Sequence, residues 1–352
     1  MGKRKSNFNG PAQKEALRGQ QALEELWRQT GKPVCKLSLS NQPTTLFDSR
    51  MGGVPYCPHD GALPMGKNGE PLRLIAQINF AQMPPMYPFP DSGMLQLFLP
   101  DHDPLRGYRG MECWAEQQNW KVIYYPHLDS TVTEEEVAAK LTIGPVKVAK
   151  EGEVSLHSNI LLNDIVYKLH FGGAKQEGTL GTEGITLSDY RFQTQFQAVY
   201  QKLFPGEGPI EFCPKRPEVR PKPMDWIWAD EIWKKLRRKA YAKYPKLGGF
   251  PTFTKSDPRT VLPEVTEDQC PWDTILLQVD SLFLDVNNPL CGYSPLTFGP
   301  DGIATFFIRE EDLLRQDFSR VGYYWTDDSD HESFQDYYGP DYQPSERHKL
   351  FP

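Results

Sequence analysis

The phrase "RMGGVP" at residues 50–55 returns as "KLGGFP" at 246–251. Three further phrases follow each copy in the same order. "LIAQINF" at 74–80 is answered by "ILLQVDS" at 275–281, with Gln77 matched by Gln278. "GMLQLFL" at 93–99 is answered by "GIATFFI" at 302–308, and "KVIYY" at 121–125 by "RVGYY" at 320–324. The spacers differ: 24 positions separate Gly53 from Gln77 and 29 separate Gly249 from Gln278. Loops tolerate such changes and strands do not. Each phrase after the first is a short apolar run bounded by Pro, Gly or Asp, which reads as a strand. The repetition therefore predicts an α+β fold that is β-rich, with two pseudo-symmetric halves from internal duplication and several flanking helices.

The helices lie outside the repeated strands. Pro11 opens a helical stretch whose stripe is Ala16, Leu23, Leu26 and Trp27, closed by Gly31 and Pro33. A short strand is expected around "CKLSLS". Thr133 and Glu136 form a capping-box signature over a short helix. Ser188 is expected to cap a helix carrying Phe192, Phe196, Val199, Tyr200 and Leu203 at helical spacing, ended by Pro205. After the stiff link "CPKRPEVRPKP", a long helix is expected to bury Ile232, Trp233, Leu236, Ala240 and Tyr241. The whole chain, 1–352, reads as one unit. Within it, 1–34 is a helix and lead-in, 35–128 the first β-rich half, and 129–223 a connecting segment. Residues 224–326 form a helix plus the second half, and 327–352 an acidic tail.

The cysteines Cys35, Cys57, Cys113, Cys213, Cys270 and Cys291 are scattered, with no C-x-x-C pair. That suits free thiols in a reducing cytoplasm better than a disulfide framework or a zinc site. The basic start "MGKRKSNFNGPAQ" leads into no apolar run, so no secretory signal is expected. Ser6 after Gly2 fits the loose myristoylation pattern, which chance meets often. No run of 18 apolar residues suggests a membrane span. Net charge is −7, which argues against nucleic acid as a partner.

Candidate sites are few. The double glycines lack the spacing of a phosphate loop and run into Pro, so they read as turn punctuation. Gln77 and Gln278 sit inside apolar runs at matched places. Each is either a core bracket to neighbouring backbone or a contact to the backbone of a bound peptide. "DHD" at 101–103 and "CPHD" at 57–60 lack a second pair to complete a metal site, and no metal or other cofactor is expected. No G-x-S-x-G is present, and no catalytic residue is assigned. Seven basic residues between Lys234 and Lys246 lie on the long helix and read as its solvated face. Asp327, Asp328, Asp330, Glu332, Asp336 and Asp341 read as a solvated tail.

The order G-G-x-P, then L-L-x-Q-[IV]-[DN], then G-x-x-x-F-F-[IL] resembles the YwqG-like family, a domain of unknown function. "EPLRLIAQINFAQMPP" at 70–85 is similar to its first-half signature. "LGGFPTFTKSDPR" at 247–259 with "TILLQVDS" at 274–281 is similar to its second, and "LSDYRF" at 187–192 to its middle. The likeness covers roughly residues 45 to 325. It departs at 291–308, "CGYSPLTFGPDGIATFFI", where members often carry Trp-Gly-Asp-x-G. The resemblance implies a duplicated β-rich fold and carries over no catalytic residues. More distantly it implies similarity to eukaryotic ribosome-assembly chaperones. The function expected from it is non-enzymatic peptide or protein binding of a chaperone-like kind. The alternative is an enzyme or small-molecule binder with its site between the halves.

Overall fold

The computed structural model describes residues 10–101, 103, 105–145, 161, 164–172, 178–214, 224–266, 269–281, 296–299 and 301–327. The chain opens with helix α1 (Pro11–Thr30) and strand β1 (Lys32–Ser40). Strands β2 (Arg50–Met51), β3 (Leu72–Asn79), β4 (Met94–Pro100) and β5 (Lys121–Tyr125) follow, then helix α2 (Glu134–Ala138). Strands β6 (Tyr167–Phe171) and β7 (Gly181–Glu183) lead to helices α3 (Phe192–Leu203) and α4 (Met224–Tyr241). Strands β8 (Lys246–Gly248), β9 (Thr274–Asp280) and β10 (Ile303–Ile308), helix α5 (Glu310–Leu314) and strand β11 (Gly322–Thr326) complete it.

The strands form one curled antiparallel sheet in the order β11-β10-β9-β8-β1-β6-β2-β3-β4-β5, with β7 also on β1. The lead-in strand is longer than "CKLSLS" suggested. It runs back through Pro33, which pairs with Thr182 near the strand start, where a missing donor is tolerated. Its first part pairs with β7 and β8 and its last part with β6. One strand therefore belongs to both arms of the sheet.

The two arms share local detail. Arg50 lies opposite Gln77, and Lys246 opposite Gln278. Gly52, Gly53, Gly248 and Gly249 all have φ between +68° and +79°, a conformation that disfavours any side chain. β3 bulges at Ile75 and β9 at Leu276, each two residues before its glutamine. Phe80 N–H donates to Gly93 O at 3.0 Å, and Ser281 N–H to Gly302 O at 2.9 Å. The fourth phrase departs from this correspondence. Tyr124 faces Leu95, whereas Tyr323 faces Phe306, a shift of two positions along the phrase. A two-residue slip keeps side chains on the same face, so the core tolerates it.

The sheet's inner face holds the main core, built from Ile78, Leu95 and Leu97 on one arm and Leu277, Val279 and Phe306 on the other. A helical layer of α1, α3 and α4 packs together around Leu23, Phe196 and Trp233 and reaches Phe250 beside the second double glycine. Gly19 lets α1 approach α4, since a Cβ there would fall 2.1 Å from the Trp233 ring. Thr133 caps α2 by accepting from Glu136 N–H, as the capping signature predicted. Ser188 does not cap α3. Its hydroxyl donates to Phe253 O at 3.3 Å, and the helix starts after Arg191 with no side-chain cap. The tertiary partner outcompetes the local one. Asp327 is buried and belongs to the fold rather than to a tail. The rest of the acidic tail, most of the proline-rich link and the departure at 291–295 lie outside the described residues. No helix among the described residues is long and apolar enough to cross a membrane.

Candidate functional site

Gln77 and Gln278 are both fully buried. Tyr56 N–H donates to Gln77 Oε1 at 2.9 Å, and Thr252 N–H donates to Gln278 Oε1 at 2.8 Å. Gln77 Nε2 donates to Asp48 O at 3.0 Å and Leu46 O at 2.8 Å; Gln278 Nε2 donates to Tyr244 O at 3.4 Å. Each amide ties the chain on both sides of a double glycine to the middle of a strand. Gln96 Nε2 adds a fourth bond to Gln77, at 2.8 Å. This geometry is that of a core bracket, and no amide atom of either glutamine faces solvent.

The basic residue opening each phrase is buried too, and Lys246, expected on the solvated face of the long helix, lies instead on β8 because α4 ends at Tyr241. Lys246 is fully enclosed, with Nζ 2.9 Å from Glu183 Oε2. Burial pulls its pKa down and the Glu183 charge opposes that. Phe250 N–H also donates to Glu183, at 2.7 Å. Arg50 is as deeply placed, 3.5 Å from Glu134, and donates to Val54 O. A second charged cluster joins Arg259 to Asp257 at 2.6 Å and Asp189 at 2.9 Å, and Arg191 to Asp189 and Asp273. Burial raises the Asp189 pKa, but bonding from Arg191 and the Arg259 charge outweigh it and hold the carboxyl down to about 2. Asp189, held ionised between Arg191 and Arg259, suits cross-bracing and not proton transfer.

The candidate metal phrases are dispersed. Asp101 pairs with Arg73 at 2.7 Å, and Asp103 with Arg109 at 2.8 Å. Cys57 is buried, while His59 is half-exposed and bonds Glu136 and Thr131. Among the described residues no group of three or more His, Cys, Asp and Glu is placed to hold a metal ion. Burial raises the thiol pKa of Cys35 and Cys213 to about 11, which keeps them protonated and unreactive near neutrality.

A surface groove lies where the outer strands of the two arms come near each other. The connection from β4 to β5 crosses between them. Its Trp114 O accepts from Tyr323 N–H on β11 at 2.9 Å, and Trp325 Nε1 donates to Leu105 O at 2.9 Å. Gln117 works on the β5 side. Its Oε1 accepts from Val122 N–H at 2.7 Å, and its Nε2 donates to Phe318 O at 2.6 Å. The side-chain amide thus stands where a peptide unit of a neighbouring strand would stand. The Tyr124 and Phe318 rings, 4.8 Å apart, continue the seam.

Beside Gln117 the seam opens into a groove of about 440 Å³ lined by Gln117, Lys121, Val122, Ile123, Tyr124, Gln316, Phe318 and Ser319. Because Val122 N–H points away from β4, alternation points the N–H and C=O of Tyr124 outward as well. Pro126 then ends the edge without a donor. Sequence reading missed Gln117 and the groove. The repeat marked β5 as a last strand, but nothing in it marked the loop that meets both outer strands.

The family pattern described as "Domain of unknown function (DUF1963)" matches residues 49–326. The matched span starts one residue before β2 and ends on the last residue of β11, leaving α1 and β1 outside it. No curated protein matches the chain.

Proposed function

The chain belongs to the DUF1963 family, and from that premise we propose that it is a non-enzymatic protein that binds an extended peptide segment of a partner. The segment adds to the outer edge of β5. One observation carries this reading: the open groove beside Tyr124, whose outward N–H and C=O stand next to a side-chain amide already acting as a strand surrogate. β-augmentation takes affinity from such main-chain groups and specificity from alternate side chains in a groove.

The same reading takes the two arms as copies of one ancestral module. The paired Gln brackets, the bulges two residues before them and the matched double glycines support it. It also takes up the resemblance to YwqG-like proteins, and more distantly to ribosome-assembly chaperones, for which capture of an extended segment is an apt task. A cytoplasmic location fits the free thiols of Cys35, Cys57, Cys113, Cys213 and Cys270.

The test is selection of peptides by the intact chain, followed by titration of the best binders against two variants. Ser319→Trp fills the groove from its exposed rim, and Tyr124→Pro removes the outward N–H without touching the β4 ladder. A tenfold or greater loss with both, at unchanged circular dichroism, is expected. Binders indifferent to both variants would sink the reading.

A further inference from the structure

We infer that the connection between β3 and β4 presents Pro84, Pro85 and Tyr87 as a preformed ligand for a polyproline-reading module of the WW type. The connection reads "MPPMYPFP" at 83–90, with four prolines in eight residues. Each proline ring fixes its own φ, and the ring that follows Met83 and Pro84 pushes both to extended backbone. Met83 has φ −88° and ψ 141°, close to polyproline II. That helix has about three residues per turn, so positions i and i+3 share an edge. Burial follows this period. Met83, Met86 and Phe89 all lie in the main core. A Cβ on Gly248 would come 3.3 Å from Met86 Cε, so the second arm meets this buried edge too. Pro85 and Tyr87 are exposed and Pro84 is half-buried. Tyr87 is 68% exposed. A turn braces each end: Met83 N–H donates to Phe80 O at 3.0 Å, and Phe89 N–H to Met86 O at 2.8 Å.

The outward residues spell Pro-Pro-x-Tyr, with x turned into the core. Pro84 and Tyr87 share one edge of the segment and Pro85 lies beside it. WW modules read polyproline II in an aromatic-lined groove, where proline rings stack and a tyrosine ring finds its own slot. The Tyr87 hydroxyl donates to Glu310 Oε1 at 3.1 Å, and both residues are exposed, so the ring can exchange this bond for one in a module's groove. SH3 modules also read polyproline, but they pair a Lys or Arg beside the prolines with an acidic pocket. No Lys or Arg lies between Arg73 and Arg106. That absence favours the WW type. Because the fold already holds the segment extended, capture loses less ordering entropy than capture of a free peptide. None of these residues lines the groove beside β5, so the two surfaces are separate.

Isothermal titration of the full chain with an isolated WW domain that reads Pro-Pro-x-Tyr peptides tests this. Saturable binding is expected, and a free peptide of residues 83–90 should compete for it. Tyr87→Ala and Pro84→Ala should each weaken binding at least tenfold. The Tyr87 ring stands in solvent, so Tyr87→Ala should keep the thermal midpoint of the wild type, which separates loss of the ligand from loss of the fold. Four results overturn the inference. One is no saturation below roughly 1 mM of the domain. Another is binding that survives Tyr87→Ala. A third is an SH3 domain bound more tightly than the WW domain. The fourth is a free peptide that binds while the full chain does not, which would mean that the fold hides the motif.

Discussion

Replacing Gln77 and Gln278 by leucine, one at a time, asks whether two residues of like sequence context carry like weight. They do not have equal partners. Gln77→Leu strands the Tyr56 N–H, the Leu46 and Asp48 carbonyls and one bond from Gln96. Gln278→Leu strands the Thr252 N–H and a long contact to Tyr244 O. A buried group left unpaired costs about 1–3 kcal/mol. At about 1 kcal/mol per stranded partner, Gln77→Leu costs about 4 kcal/mol and Gln278→Leu about 2 kcal/mol. A fold of ordinary stability holds roughly 5–15 kcal/mol, so the first loss is large and the second moderate. Urea titrations followed by tryptophan fluorescence, with thermal midpoints as a second probe, give the ratio. Equal losses, or a larger loss at Gln278, would refute the bond-by-bond reasoning.

Three further outcomes follow from the buried charges and the turns. Lys246→Met leaves Glu183 charged without its cation and should cost about 3–5 kcal/mol, whereas Lys246→Met with Glu183→Gln should recover at least half in chemical denaturation. The Asp189 pKa is lowered on folding from 3.8 to about 2, so its stabilisation is complete above the unfolded value and is lost as pH falls from about 4 through about 2. Stability curves between pH 5 and 2 should show that acid-linked loss, and Asp189→Asn should flatten it. Gly249→Ala should destabilise by more than about 1 kcal/mol, because φ is +68° and a Cβ would fall 2.3 Å from Glu183 Oε2; a thermal midpoint unchanged from wild type would contradict this.

The strand phrases were legible because burial on one face leaves a short-range signature. β3, β4, β5, β9 and β10 stand within a residue or two of where their apolar runs placed them. The long helices were legible from their stripes, with Trp233, Leu236 and Ala240 buried as expected, Ile232 and Tyr241 only partly so, and Leu203 at the end of α3 exposed. Local caps were half-legible. Thr133 met its expected partner, while Ser188 found a carbonyl 65 positions away in sequence. Composition placed Lys246 on a solvated helix face, and the structure buries it on β8. Nothing local announces that a lysine will be fully enclosed, since its partner Glu183 lies on a strand 63 positions earlier.

By itself the sequence determined the period of the longer strands and helices, the positive-φ turns and the recurrence of Gly-Gly, Gln and Gly-strand in one order. Those are matters of neighbours two to four residues apart, which pattern records directly. Only the tertiary structure decided that the glutamines spend their amides on the turns, that β1 serves both arms, and that a groove opens beside β5. It also exposed the two-residue slip in the last phrase. These outcomes depend on which distant backbone groups come within hydrogen-bond reach. A pleat of period two fixes the face of a side chain but leaves its partner along the neighbouring strand undetermined.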